Sequence, residues 1–301
     1  MDAPRLATTL ERLVTSHLHD ASTHCYRDAT DRHSEAQEMM LDDKVAVIYG
    51  AGGAIGGAVA RAFAREGARL FLTGHLRPAV DAVAREIVAA GGTASVAEVD
   101  ALDERSVDAH LQSVIDESGR VDISFNAVGF PDAKILGVPL VELDVEQFAR
   151  PITDYATSYF LTARLAARRM LANRSGVIMT VTALLSRTGV PLAGGYGPAM
   201  AVKDALTRSL SAELAPHGIR VVGLRPQGMP ETATLREAFE PRAKASGLTW
   251  EQWQQMLATR THPRRLMTLE ELANVAAFVA SDKASGMTGT VVNLTMGSLD
   301  D

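Results

Sequence analysis

One stretch constrains the fold more than any other: "KVAVIYGAGGAIGGAVARAFAREGARLFLTG", residues 44–74. It opens on a short, β-branched apolar run that ends at Gly50. A glycine-rich turn and a stretch of helical spacing follow, and a second apolar run, "RLFLTG", closes it. Two such runs joined through a helix form a βαβ unit, whose strands pair in parallel with a right-handed crossover. Similar runs recur at 94–99, 121–126, 176–182, 219–224 and 290–294, with helical stretches between them. Alternating strand and helix predict an α/β chain: a doubly wound parallel sheet covered on both faces, without internal repeats.

Composition sets the outer limits. A chain of 301 residues that is 47% hydrophobic can bury a large core. A formal charge of −6 argues against a nucleic-acid partner, because counterion release needs clustered Lys and Arg. No stretch is apolar for the length a bilayer demands, the start lacks an apolar signal region, and Cys25 has no second cysteine to pair with. The expectation is a cytoplasmic protein without membrane partners. Residues 1–40 differ from the rest and read as a polar, partly helical N-terminal extension, with Leu6, Leu10, Leu13 and Val14 on one helix face. Its His17, His19, His24 and Cys25 fit no closed zinc spacing, so no metal site is expected. Residues 41–301 form the single folded domain.

The glycine-rich turn sits where a doubly wound sheet binds ligands. Gly50, Gly52, Gly53, Ile55 and Gly56 would bring backbone N–H groups and a helix N-terminus close to a pyrophosphate. Glycine lets backbone and phosphate approach that closely. The same glycines also suit tight helix–strand packing, so the turn alone does not decide.

From about residue 41 to 297 the chain resembles the short-chain dehydrogenase/reductase family, with a Rossmann-like fold. The family's TGxxxGxG falls on Tyr49, Gly50, Ala54 and Gly56; its adenine-site DV falls on Asp100 and Ala101; its NNAG falls on Asn126, Ala127, Val128 and Gly129. The likeness continues through "LTRSLSAELAPHGIRV", Pro226, "RRLMTLEELANVAAFVASDKASGMTG" and Gly297. It implies a nicotinamide cofactor held by these residues, a small-molecule substrate, and a homodimer or homotetramer. An NAD-preferring relative carries Asp or Glu at the end of the second strand, whereas this chain has Gly74, then His75 and Arg77. The resemblance therefore points to NADP(H), with His75 and Arg77 as partners of the 2′-phosphate. NAD(H) stays open, as does a solvated loop role for both residues.

The family's proton-transfer tetrad is Ser, Tyr, a Lys four residues after the Tyr, and an Asn on an earlier helix. Tyr196 matches the tyrosine and Tyr196 also belongs to the cofactor side of the site. The lysine position holds Met200, the serine position Ala183, and the asparagine position Tyr155; Ala54 and Gln227 replace further glycines. A phenol with a pKa near 10 is ionised to about one part in a thousand at pH 7, so a base role without a cation forfeits about 4 kcal/mol. Carbonyl reduction suffers less, because neutral Tyr196 already carries the proton it delivers.

Four nearby groups are candidates to complete the site: Tyr155, Thr182, Ser186 and Lys203. Lys203 lies seven residues after Tyr196, on the same helix face, with its backbone about 10 Å further along the axis. It either approaches the nicotinamide ribose indirectly or is a solvated surface lysine. Thr182 should face away from Ala183's side of the strand. Residues 229–262 read as a substrate lid in which Trp250, Trp253 and Leu257 share a helix face, which suits a sizeable apolar substrate. Glu231 would add an acidic group to that cavity. Two functions remain: an NADP(H)-dependent carbonyl reductase using Tyr196 as acid, or a protein of this fold that has left hydride transfer, as a non-redox enzyme or a silent partner subunit.

Overall fold

The computed structural model describes residues 39–130, 135–245 and 247–299. The N-terminal helix and the His17, His19, His24 and Cys25 group lie outside the described residues. The seven expected strands form β1 (Val45–Tyr49), β2 (Arg69–Gly74), β3 (Thr93–Glu98), β4 (Ile123–Asn126), β5 (Gly176–Val181), β6 (Ile219–Pro226) and β7 (Thr290–Leu294). They make one parallel sheet in the order β3-β2-β1-β4-β5-β6-β7.

Successive residues of β1 explain why these runs are apolar throughout. Ala46 and Ile48 face one layer, built from α1 (Ala54–Arg65), α2 (Arg77–Ala89) and a later helix, α8 (Leu269–Ala280). Val45, Val47 and Tyr49 face the other, built from α3 (Glu104–Ser118), α4 (Val145–Asn173) and α5 (Tyr196–Leu214). Both faces are covered, so alternation gives way to continuous burial. Two further helices, α6 (Ala233–Ala245) and α7 (Trp250–Ala258), follow β6 within the 229–262 segment. Among the described residues no helix is long and apolar enough to cross a membrane.

Local chemistry sets the helix ends that matter for the site. Asp144 accepts from Gln147 N at 2.8 Å and starts α4. Pro151 lies inside that helix, and a Cβ on Gly195 would stand 2.1 Å from Phe148 O and 2.9 Å from Pro151 Cγ. Only a residue without a side chain lets the start of α5 approach α4 this closely. That approach fixes where Tyr196, the first residue of α5, stands.

Candidate active site

Neighbours of β1 are β2 on one side and β4 on the other, so the chain reverses direction across the sheet at this point. A doubly wound sheet opens a crevice there, beyond the C-terminal ends of the strands. The glycine-rich turn lies in that crevice. Gly50 has φ 77°, and a Cβ on it would stand 2.6 Å from Ala127 O. A Cβ on Gly56 would stand 2.3 Å from Gly50 O, and one on Gly52 would meet Ala79 Cβ at 3.0 Å. These three glycines thus serve close packing of the turn against β4 and α2. Gly53 caps α1 without a side-chain acceptor, and the first turn, which includes Ile55, carries no acidic residue. Its N–H groups suit an anion. Among the described residues, nothing lies within 4 Å of where a Cβ on Gly129 would be.

Just after β2, His75 Nε2 lies 3.2 Å from Asp100 Oδ1, which also accepts from Leu102 N at 2.8 Å. The strand-end pair of residues expected at two separate subsites is therefore joined. Arg77 faces Asp81 one turn along α2, at 3.7 Å. Ala101 is buried. Gly74 is packed against α2, where a Cβ would meet Val80 Cγ2 at 3.0 Å. Asn126 turns its side chain into the protein: Nδ2 donates to Ser158 Oγ at 3.0 Å and to Thr162 Oγ1 at 3.1 Å, tying β4 to α4. Asn126 thus shapes the crevice through its backbone. Pro226 ends β6 beside Leu294, and Gln227 fills the place after it by donating from Nε2 to Ser298 Oγ at 2.8 Å.

Tyr196 sits in an aromatic and apolar cluster with Tyr155, Ala199, Met200, Phe130, Ile152 and Ala183. The Tyr155 ring stands edge-on to Tyr196 at 5.7 Å and to Phe130 at 4.9 Å, geometries that aromatic quadrupoles favour. Tyr155 Oη accepts from Phe130 N at 3.2 Å. Met200 is buried in this cluster, an apolar side chain one turn after Tyr196.

Two expectations about the neighbours are corrected. Lys203 is no surface lysine: it is 1% exposed, donates from Nζ to Val181 O at 2.7 Å, and lies 5.6 Å and 5.8 Å from the ring centres of Tyr155 and Tyr159. Its position two turns below Tyr196 carries it into the layer between α5 and the sheet. Burial pushes its ammonium down to about 7, against a smaller opposing pull from Asp204. Thr182 is buried and donates from Oγ1 to Leu224 O at 3.4 Å, so its hydroxyl serves the sheet and leaves the reacting cluster. Glu231 is the second correction to the polar inventory: Oε1 accepts from Leu269 N at 3.2 Å, at the start of α8, instead of entering the cavity.

In the 229–262 segment, Thr249 and Gln252 form a capping box that starts α7. Trp253 stacks on Phe239 with ring centres 6.2 Å apart, joining α7 to α6.

A network absent from the sequence reading lies beside the cluster. Arg225 donates from Nη2 to Asp204 Oδ2 at 2.8 Å and from Nε to Ser186 Oγ at 2.9 Å, and the ion pair is buried on both sides. Its signal was an arginine at the C-terminal end of the buried inner strand β6, a place that demands a buried partner.

The family profile described as Enoyl-(Acyl carrier protein) reductase matches residues 50–298. The chain belongs to the short-chain dehydrogenase/reductase family. It is similar to the 7alpha-hydroxysteroid dehydrogenase of Escherichia coli (strain K12), at 28% identity over 88% of this chain and 98% of that protein. Cis-4-hydroxycyclohexanecarboxylate dehydrogenase of Sinomonas cyclohexanicum is 33% identical over 85% of this chain and 96% of its own length. Among solved structures, a 7 alpha-hydroxysteroid dehydrogenase complexed with NADH and 7-oxo glycochenodeoxycholic acid superposes with a TM-score of 0.75, at 29% identity, covering 86% of this chain and 96% of that one. The seven-stranded parallel sheet with flanking helices is the fold of this short-chain dehydrogenase/reductase and of the solved structures it matches.

Proposed function

We propose that this chain is a nicotinamide-dependent carbonyl reductase in which Tyr196 donates the proton to a sizeable, largely apolar ketone. The carrying observation is the setting of Tyr196: the first residue of α5, at the crevice, walled by Phe130, Tyr155, Ile152, Ala183 and Met200. An apolar wall favours the neutral phenol, which is the form that delivers a proton to a developing alkoxide. Two relatives whose names specify a hydroxysteroid and a hydroxycyclohexanecarboxylate support a ring-bearing substrate. Tyr155 shapes the wall through its ring, and Lys203 supports it from below.

The residues present fit a dinucleotide. The uncapped first turn of α1 with Gly53 and Ile55 would take the pyrophosphate, Gly129 leaves room beside it, and Asp100 and Ala101 flank the adenine end. When bound, the nicotinamide ring supplies the hydride. With Gly74 in place of a carboxylate, and with His75 and Arg77 at hand, NADP(H) is the preferred form, His75 exchanging Asp100 for the 2′-phosphate. Exposed Phe160 and Leu171 on α4 suit a homodimer or homotetramer built on the Tyr196 helix and its predecessor.

A second reading, loss of hydride transfer, draws on Met200 and Ala183. Titration with NADPH and NADH by nicotinamide fluorescence, followed by turnover over a panel of cyclic ketones for the wild type and Tyr196→Phe, separates the two. The reductase reading expects tighter NADPH binding and turnover that Tyr196→Phe lowers by at least about 10²-fold. Absence of nucleotide binding at millimolar concentration refutes it; binding without turnover selects the second reading.

A further inference from the structure

The segment leaving β5 carries Ala183, which lines the Tyr196 cluster, and runs on through Leu185 to Ser186. Three contacts pin it against α5. Lys203 Nζ holds Val181 O at 2.7 Å, just before the segment begins. A Cβ on Gly197 would stand 3.2 Å from Leu185 O, so the first turn of α5 touches the segment's backbone directly. Arg225 then joins Ser186 Oγ, at 2.9 Å, to Asp204 Oδ2, at 2.8 Å, linking the far end of the segment to α5 across the end of β6.

The guanidinium geometry is what makes this a clamp. Its planar fork presents Nε and Nη2 to different partners at once, which a lysine ammonium cannot reproduce in a fixed direction. Ser186 and Asp204 belong to different elements, and the Arg225–Asp204 ion pair is 4% and 5% exposed, so neither water nor salt screens it.

We propose that Arg225 and Asp204 are positioning residues that hold the β5 exit, and with it the wall opposite Tyr196, at the spacing that proton delivery requires. The role rests on the reductase reading above, and it concerns geometry alone: none of the two need touch substrate.

Three variants test it: Ser186→Ala, which removes the segment's handle and leaves the ion pair; Arg225→Lys, which keeps the charge and loses the fork; and the double variant Asp204→Leu/Arg225→Met, which replaces the pair with apolar volume. Each is measured for kcat, KM, melting temperature and native-state trypsin cleavage after Arg187, an exposed residue next to Ser186. The clamp predicts that Ser186→Ala and Arg225→Lys lower kcat by about tenfold or more with KM for the ketone little changed, since a small misplacement costs proton-transfer rate. It also predicts faster cleavage at Arg187 in all three, while Ser186→Ala keeps its melting temperature. Unchanged cleavage and unchanged kcat in Ser186→Ala overturn the proposal, as does full retention of both in Arg225→Lys. If the wild type reduces no ketone, the functional reading fails on its own, and cleavage at Arg187 still decides the clamp.

Discussion

Lys203 makes stability depend on pH in a way few surface residues can. In the unfolded chain its ammonium titrates near 10.5; in the folded protein burial brings it to about 7. Between these values the unfolded state binds the extra proton, so stability rises as pH rises. From pH 7.5 to 9.5 the difference is close to one proton throughout. At about 1.36 kcal/mol per unit, the wild type should gain about 2.5 kcal/mol over that range. Tyr49 and Tyr159 do not interfere, because burial raises their phenols and their effect begins only as the unfolded phenols ionise near pH 10, with the opposite sign. Urea unfolding at pH 7.5, 8.5 and 9.5, for the wild type and for Lys203→Met, isolates the lysine, since every other titrating group is shared. The stability difference between the two proteins should shift by about 2.5 kcal/mol toward the wild type across the series. A constant difference would refute the reasoning, showing that the buried amine keeps its proton through its bond to Val181 O and its ring neighbours.

Gly195→Ala forces a methyl into Phe148 O and Pro151 and should cost about 1–3 kcal/mol of stability while moving Tyr196, so urea melts and turnover both fall; an unchanged midpoint would refute the contact. Met200→Lys sets an ammonium among Tyr155, Ala199, Phe130 and Ile152 and should destabilise by about 3 kcal/mol without nucleotide. Thermal melts with and without NADPH check this, with nucleotide expected to return part of the loss. Met200→Lys combined with Ala183→Ser should raise reductase turnover if the corner remains redox-competent, and steady-state kinetics on the same ketone panel measure it.

The sheet was legible because its causes are local. Inner strands buried on both faces are largely apolar, as in β1 (VAVIY) and β5 (GVIMTV), and the edge strands β3 and β7 keep shorter apolar runs. Gly50 and Gly56 were legible as positions needing no side chain, although their Cβ positions point at Ala127 O and Gly50 O within the protein and not at a ligand. The charged groups were harder. Periodicity places Lys203 on the face of α5 that carries Tyr196, but whether that face meets water or the sheet depends on how closely α5 and α4 approach, and Gly195 sets that approach. The Arg225–Asp204 pair joins positions 21 residues apart in different elements, a contact that neither spacing nor residue type alone predicts. Glu231 was misread for the same reason: its partner, Leu269 N, is a helix end 38 residues away.

The apolar and aromatic residues at 155, 183 and 200 act as one unit and not three. Tyr155, Met200 and Ala183 pack in a single cluster with Tyr196, and Tyr155 stands edge-on to both Phe130 and Tyr196. A charge at position 200 would lose solvation against those faces, and a polar group at 183 would face a wall with few partners. The apolar residues stabilise one another, so reversing one of them meets the cost set by the other two. The same wall presents flat apolar surface to whatever stands before it. On the proposed reductase reading, such a site gives up the base that alcohol oxidation needs and keeps the acid that ketone reduction needs, while Lys203 and Arg225 bond Val181 O and Ser186 Oγ at the β5 exit.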